Sequence, residues 1–458
     1  MIRSTRSSAC ATALLGLALS ALAATQASAA SVLLISIDAL SPDYVTKADS
    51  LGLKVPNLRR FLTEGSYAQG VRGVVPTITC PSHATLVTGV TPAKHGIYGN
   101  DPLKTDGYSA ALCTFASDVK ADALYDAAAR AGIETGSVGW LNTAGATTVK
   151  YNLPHVEPYE SEITVKYQEA MATPPGLLTG LEAELGGYYQ DGTEAGSEIR
   201  TRFAKAIISR YKPGFMMFHI IAVDHAAHAH GPWSDEAKKA VEHEDAMIGQ
   251  VIETALANDP DTIVAVTSDH GQAPITRAFN LRVPFVEAGL IELEPLVPGR
   301  QVKVRDAKVQ VGGGASAAIR LKDPSDAATR AKVSQLLHAL AADPQNGIDR
   351  IVEGADVEKL GGYAGASFVV GMKPGTVVGG DYFGSKLVDL PSVAGTHGYL
   401  PEQSIMNASF FIRGKGIEAG RNLGVVDMRR IAPTLAQALG VKLKDADQPS
   451  LPVFAAGR

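Results

Sequence analysis

The sequence predicts an α/β protein, a doubly wound and mostly parallel sheet flanked by helices, with a small α+β subdomain inserted into it. Three observations predict it. Residues 31–38, 215–224 and 262–269 are continuous apolar runs, and each ends in an aspartate: Asp38, Asp224 and Asp269. Runs without polar alternation suit strands buried on both faces, and ligands gather at the carboxyl ends of such strands. Amphipathic stretches at helical spacing separate the runs, and strands alternating with helices argue for a parallel sheet.

Taken in order, the chain opens on Arg3 and Arg6, an apolar stretch over 11–24, and Ala27-Ser28-Ala29. That pattern reads as a secretory leader over residues 1–30, cut near Ala29 or Ala30, so the protein is expected to be exported, to the periplasm by a Sec-type route. The apolar stretch is short and none like it follows, so no membrane span is expected after cleavage. The first strand is followed by a helix over 56–65, whose Leu58, Phe61 and Leu62 share a face. A turn follows at Thr79, with a helix expected to begin near Pro81, where proline suits a first turn, and to stop at Gly89. Thr79 thereby stands at a helix N-terminus, where free N–H groups and the macrodipole favour an anion.

A helix over 122–132 and a strand over 136–140 come next, then an irregular stretch over 142–196, expected to cap a site with loops and short helices. A helix over 199–211 leads to the second apolar run. Ser234, with Asp235 and Glu236, opens a long helix reaching 258. Residues 300–381 read as the inserted subdomain, with strands at 302–311, 317–321, 348–352 and 368–370 and a helix at 326–341. The main domain, 31–299 and 382–458, closes with a strand near 409–412 and a helix over 427–439.

A net charge of −5 with interspersed signs offers no basic stripe for nucleic acid or a membrane surface. Cys80 and Cys113 remain after export; they are able to pair in an oxidising compartment, but the reading favours two free thiols. Oligomeric state is not legible.

Three carboxylates on one sheet rim repel one another and call for cations. Asp224 and His228, spaced i, i+4, share a helix face. Asp269-His270 gives adjacent ligands on a turn, and His397 lies in a glycine-flanked loop able to reach back. Oxygen and imidazole donors in this mixture suit zinc, with manganese or iron as alternatives. His219 and His338 read as structural; His225 and His230 flank the Asp224–His228 pair.

These motifs, together with His95-Gly96-Ile97 through Asn100, Gly231-Pro232, Ser268-Asp269-His270-Gly271 and His397-Gly398-Tyr399, resemble the alkaline phosphatase superfamily, and within it the nucleotide pyrophosphatase/phosphodiesterase branch. The resemblance implies one zinc held by Asp224, His228 and His397, and a second held by Asp38, Asp269 and His270 with the Thr79 oxygen bridging toward it. It implies that Asn100 and the backbone N–H near Thr79 hold a phosphate oxygen, and that phosphodiesters or pyrophosphates are cleaved through a covalent phospho-Thr79. Two dications against three Asp and a Thr79 alkoxide sum to about zero charge, so an anionic small-molecule ester enters without a large penalty.

This chain departs from the branch at Cys80, where an aromatic residue usually helps to stack a base, and at Ser82, where Asn is usual. Thr79-Cys80-Pro81-Ser82-His83 also resembles the sulfatase turn, but a threonine cannot become formylglycine, so sulfatase activity is excluded. A phosphomonoesterase, with Lys104 or Lys150 as the extra cation, or a phosphonate hydrolase is the alternative reading. The non-enzymatic one is a metal-binding periplasmic protein that has lost turnover.

Overall fold

The computed structural model describes residues 30–100, 113–156, 162–187, 192–295 and 301–455, with Met1 and Val297. The expected leader and Lys104 lie outside the described residues. An eight-stranded sheet runs Arg421–Asn422, Gly65–Tyr67, Phe410–Arg413, Ile263–Thr267, Val32–Ile37, Phe215–Ile220, Thr135–Val138 and Tyr151–Leu153 from edge to edge. Val32–Ile37 is parallel to both of its neighbours, while Phe410–Arg413 runs antiparallel to both of its own. The sheet is therefore mostly parallel, as the unbroken apolar runs require.

Its strands alternate between two cores. Leu33, Ile35 and Ile37 pack toward the helices Pro56–Glu64, Glu194–Tyr211 and Asp235–Asn258. Val32 and Leu34 pack toward the opposite layer, which includes Leu86, Val87, Leu124, Ile431 and Leu435. All six residues of Val32–Ile37 are buried, the signature of a strand covered on both faces.

A second unit hangs from the rim. Ala273–Phe279, immediately after the third aspartate, pairs antiparallel with Leu387–Thr396 and parallel with Gly375–Val378. Between these strands stands a four-stranded antiparallel sheet in the order Val309–Val311, Ser316–Leu321, Phe368–Met372, Ile348–Glu353. The helix Ala327–Ala341 buries Val333 and Leu337 in the core that this unit shares with Ala273, Phe279 and Tyr399.

The structure corrects several local expectations. The second apolar strand stops at Ile220, and Asp224 rides in the first turn of the helix Ala222–His230. The helix at the Thr79 turn spans Thr79–Thr88, so Thr79 is its first residue, not the one before it; Ile78 holds the extended N-cap position. The stretch 142–196 is more than a cap: Tyr151–Leu153 forms a sheet edge, and Leu177, Leu178 and Leu181 of the helix Leu177–Leu185 enter the main core. Cys80 and Cys113, expected as free thiols, form a disulfide with their Cα atoms 5.9 Å apart. Among the described residues no helix is long and apolar enough to cross a membrane.

Asp245, on the long helix Asp235–Asn258, accepts hydrogen bonds from the backbone N–H groups of Leu58 (2.7 Å) and Asn57 (3.1 Å). Those donors open the helix Pro56–Glu64, whose own N-cap residue Val55 has no side-chain acceptor. Asp245→Ala should therefore lower stability by about 2 kcal/mol, read from denaturant melts, because it strands buried helix N–H groups. A shift below a few tenths of a kcal/mol would show that water replaces the cap.

Candidate metal centre

Two groups of ligand-type side chains meet at the carboxyl rim of the sheet: Asp38, Asp269 and His270, and Asp224, His228 and His397. Within each group one donor atom per residue lies within 4.8 Å of the others. The rings of His270 and His397 stack with centroids 3.8 Å apart, so the groups adjoin. All six residues picked out as metal ligands in the sequence are brought together here.

Neighbours aim each donor. The His228 Nδ1 faces the Gly395 carbonyl at 2.9 Å, which leaves Nε2 toward Asp224 Oδ1 at 3.4 Å. The His270 Nδ1 faces the Gly271 carbonyl at 3.2 Å, leaving Nε2 toward Asp269 Oδ2 (3.1 Å) and Asp38 Oδ1 (3.5 Å). Pinning one ring nitrogen this way fixes which nitrogen is free to ligate. Asp269 Oδ1 accepts from the N–H groups of Ala39 and His270 at 3.1 and 3.0 Å. Ala39 takes φ 59°, a left-handed conformation that costs a residue with a Cβ, at the point where the strand must turn Asp38 toward the rim. Gly395 answers a close approach: a Cβ there would lie 2.3 Å from the Ala227 carbonyl oxygen, on the helix that carries His228.

Thr79 Oγ1 stands 3.4 Å from His270 Nε2, at the first turn of its helix. Asn100 comes to the same turn, its Oδ1 accepting from the Cys80 N–H at 3.0 Å. The disulfide joins Cys80 to Cys113 beside the expected nucleophile. Lys150, a candidate extra cation, precedes the edge strand Tyr151–Leu153, which runs parallel to its neighbour, and ion-pairs with Glu134. It therefore sits at the amino ends of the strands, away from the rim.

Three residues that sequence reasoning did not bring to the site shape it. His219 Nε2 contacts Asp38 Oδ2 at 3.2 Å, and its Nδ1 contacts the Gly139 carbonyl at 3.0 Å. Its signal was a lone imidazole in an apolar strand, which in register falls opposite Ser36, two residues before Asp38. His83 places Nδ1 2.9 Å from the Thr79 carbonyl and Nε2 2.9 Å from Ser36 Oγ. Gln272 donates Nε2 to Asp224, both to its carboxylate and, at 3.2 Å, to its backbone carbonyl. His338 bonds Glu353 far from the rim, and His225 and His230 belong to neither ligand group.

The electrostatics ask for cations. Burial, then Asp269 and Asp224, pushes the Asp38 carboxyl well above the usual range. Burial pushes Asp269 up as well, but the charge and hydrogen bond of His270 outweigh it and hold that carboxyl low. Burial pulls His270 down and Asp269 more than reverses it, whereas burial, then His270 and His228, push His397 well below its ordinary value. The rim alone cannot keep its acids ionised together. Asp38 Oδ1, Asp269 Oδ2 and His397 Nδ1 are buried without a hydrogen-bond partner. Buried polar atoms are ordinarily satisfied, and a carboxylate–imidazole donor set of this kind fits a divalent cation in each group.

A mostly parallel α/β sheet carrying paired Asp/His groups beside a threonine that opens a helix defines an alkaline phosphatase-like protein. More narrowly, the chain belongs to the type I phosphodiesterase / nucleotide pyrophosphatase family, whose model matches residues 32–400. It is 25% identical over 256 residues to an uncharacterized pyrophosphatase/phosphodiesterase of Schizosaccharomyces pombe, covering 53% of this chain and 45% of that one. It is 24% identical over 249 residues to mouse ectonucleotide pyrophosphatase/phosphodiesterase family member 1, covering 52% of this chain and 24% of that one. The matches thus span less than half the length of these curated relatives. The solved structure of human ectonucleotide pyrophosphatase/phosphodiesterase 5 superposes with a TM-score of 0.61 at 19% identity, covering 92% of this chain and 97% of that one, which speaks for the fold.

Chelation should lower the melting temperature by several degrees, and added zinc should restore it, since a ligand bound only by the folded state stabilises it. An unmoved transition, followed by calorimetry, would remove the cations from the rim.

Proposed function

We propose that this protein is an exported two-zinc hydrolase that cleaves phosphodiester or pyrophosphate bonds through a covalent phospho-Thr79. The observation that carries the reading is the Thr79 hydroxyl, 3.4 Å from His270 in one ligand group, at the N-terminus of its helix. Asp224, His228 and His397 would hold one ion, and Asp38, Asp269 and His270 the other, with the Thr79 oxygen beside it. When bound, the two ions would supply positive charge that favours the ionised Thr79 hydroxyl and offsets the phosphoryl oxygens.

The chain's own residues do the remaining work. His83 holds the Thr79 main chain, so the hydroxyl keeps a fixed direction. The Thr79 oxygen forms a bond to phosphorus while the bond to the leaving oxygen breaks. Water then replaces Thr79 on phosphorus, which releases the phosphoryl product and regenerates the hydroxyl. Asn100 and the Cys80 N–H, already paired at 3.0 Å, stand where a non-bridging phosphoryl oxygen would be held. His219 and Gln272 keep Asp38 and Asp224 aimed at the rim. Lys150 lies away from the rim, which takes it out of the monoesterase alternative as the extra cation. The Cys80–Cys113 disulfide supports export to an oxidising compartment, and the leader-like start of the sequence supports the same.

Thr79→Ala should lower kcat on bis(p-nitrophenyl) phosphate by at least about a thousandfold, on the scale of a removed nucleophile. Bound zinc, counted by elemental mass spectrometry, should stay at two per chain. Turnover that survives the substitution would take Thr79 out of the chemistry. Comparing kcat/KM for a diester, a monoester and a phosphonate on zinc-loaded protein should rank the diester first. For export, N-terminal sequencing of protein recovered from a bacterial periplasm should begin near Ser31; retention of Met1 in the cytoplasm would overturn it.

A further inference from the structure

Glu244 is a fully buried carboxylate on the helix Asp235–Asn258. Its Oε1 accepts from the Ala222 N–H at 3.1 Å and from Ser197 Oγ at 2.6 Å, while Oε2 has no hydrogen-bond partner. Burial of this kind disfavours the charge, and burial pushes the carboxyl up to about 7. A group this costly to bury needs a structural reason, and Ala222 supplies it. Ala222 is the first residue of the helix Ala222–His230, whose N-cap position is held by Ile221, which offers no side-chain acceptor. That nine-residue helix presents Asp224 in its first turn and His228 one turn later. The neighbouring Asp245 serves the helix Pro56–Glu64 in the same manner.

We infer that Glu244 is the positioning residue for one half of the metal centre, capping from a distance the short helix that presents Asp224 and His228. The inference rests on the reading that Asp224, His228 and His397 hold a divalent ion. Ser197 fixes the direction of the cap from the helix Glu194–Tyr211, so three helices converge on one hydrogen-bonded carboxylate oxygen. An outer partner of a metal ligand typically sets metal affinity by 10–100-fold.

The test is zinc affinity, by competition with a chromophoric chelator, on the full chain and on Glu244→Ala, Glu244→Gln and Ser197→Ala, each with a melting curve of the metal-free protein. Glu244→Ala should weaken one of the two zinc ions by about 10–100-fold and leave the other within about threefold. Glu244→Gln keeps a side-chain oxygen for the Ala222 N–H and should stay within about threefold of the parent. Ser197→Ala should weaken the same ion by about three- to tenfold, which keeps the test open if Glu244→Ala does not fold. Equal loss of both ions, a glutamine variant as weak as the alanine one, or unchanged affinity in the alanine and serine variants would overturn the inference. A parent chain that binds no zinc would instead sink the reading on which it rests.

Discussion

The mutual repulsion of Asp38, Asp224 and Asp269 on one rim is the constraint around which the surrounding structure is arranged. A parallel sheet brings such residues together because its strands deliver their carboxyl ends to the same side. The apolar strands themselves offer little to compensate the charge. Apart from His219, which stands behind Asp38 from within its own strand, compensation comes from the turns beyond them: His270 beside Asp269 and Gln272 on Asp224. Even so, buried lone pairs on Asp38 and Asp269 are left over. Those lone pairs are what makes the rim a place for cations rather than a satisfied polar cluster.

The Thr79 turn shows the same division of labour. Its backbone is the start of a helix buried along nearly its whole length, held by the Tyr399 carbonyl through Thr77 and by His83 through the Thr79 carbonyl. The disulfide adds a covalent tie one residue on, inside a small apolar cluster of Ala84, Ile97 and Leu141. Thr79 itself is only half-buried, and its hydroxyl faces His270 at 3.4 Å. Rigid backbone and free side-chain oxygen are the combination a nucleophile needs.

Much of this was legible in the sequence, for physical reasons. Apolar runs with no alternation gave the central strands, and the aspartate closing each run marked the rim. The i, i+4 pair pointed to one candidate group, since that spacing puts both side chains on one helix face, and the Asp269-His270 turn set two donor-type side chains next to each other. Other parts could not be read. Leu387–Thr396 escaped because it is an exposed ladder whose burial is slight and whose composition includes Pro391. His219 read as structural, and His83 carried no role, because their partners Asp38 and Ser36 lie 181 and 47 positions away in the chain. Glu244 carried no signal within the helix expected to reach 258, because its partners Ala222 and Ser197 lie on other elements. The cysteine pairing depended on a Cα separation that spacing alone cannot supply.

His397 arrives at the rim on Leu387–Thr396, and that strand is zipped to Ala273–Phe279, which leaves directly from His270. Thr396 opposes Ala273 and Gly395 opposes Pro274, so the ladder works as a ruler that measures out where the last imidazole falls. Adding or deleting a single residue in the regular stretch Ala394–Thr396 or opposite it would turn alternate side chains to the opposite face and swing that imidazole away from its partners, whereas the irregularity between Asp389 and Ala394 would absorb a change further back. The 309–372 sheet steadies the same point from the other side, where Ser316 Oγ donates to the carbonyl of Gly398, the residue after that imidazole. The inserted unit thus acts as a brace on the rim, clasping the final imidazole between a short ladder and a single hydroxyl.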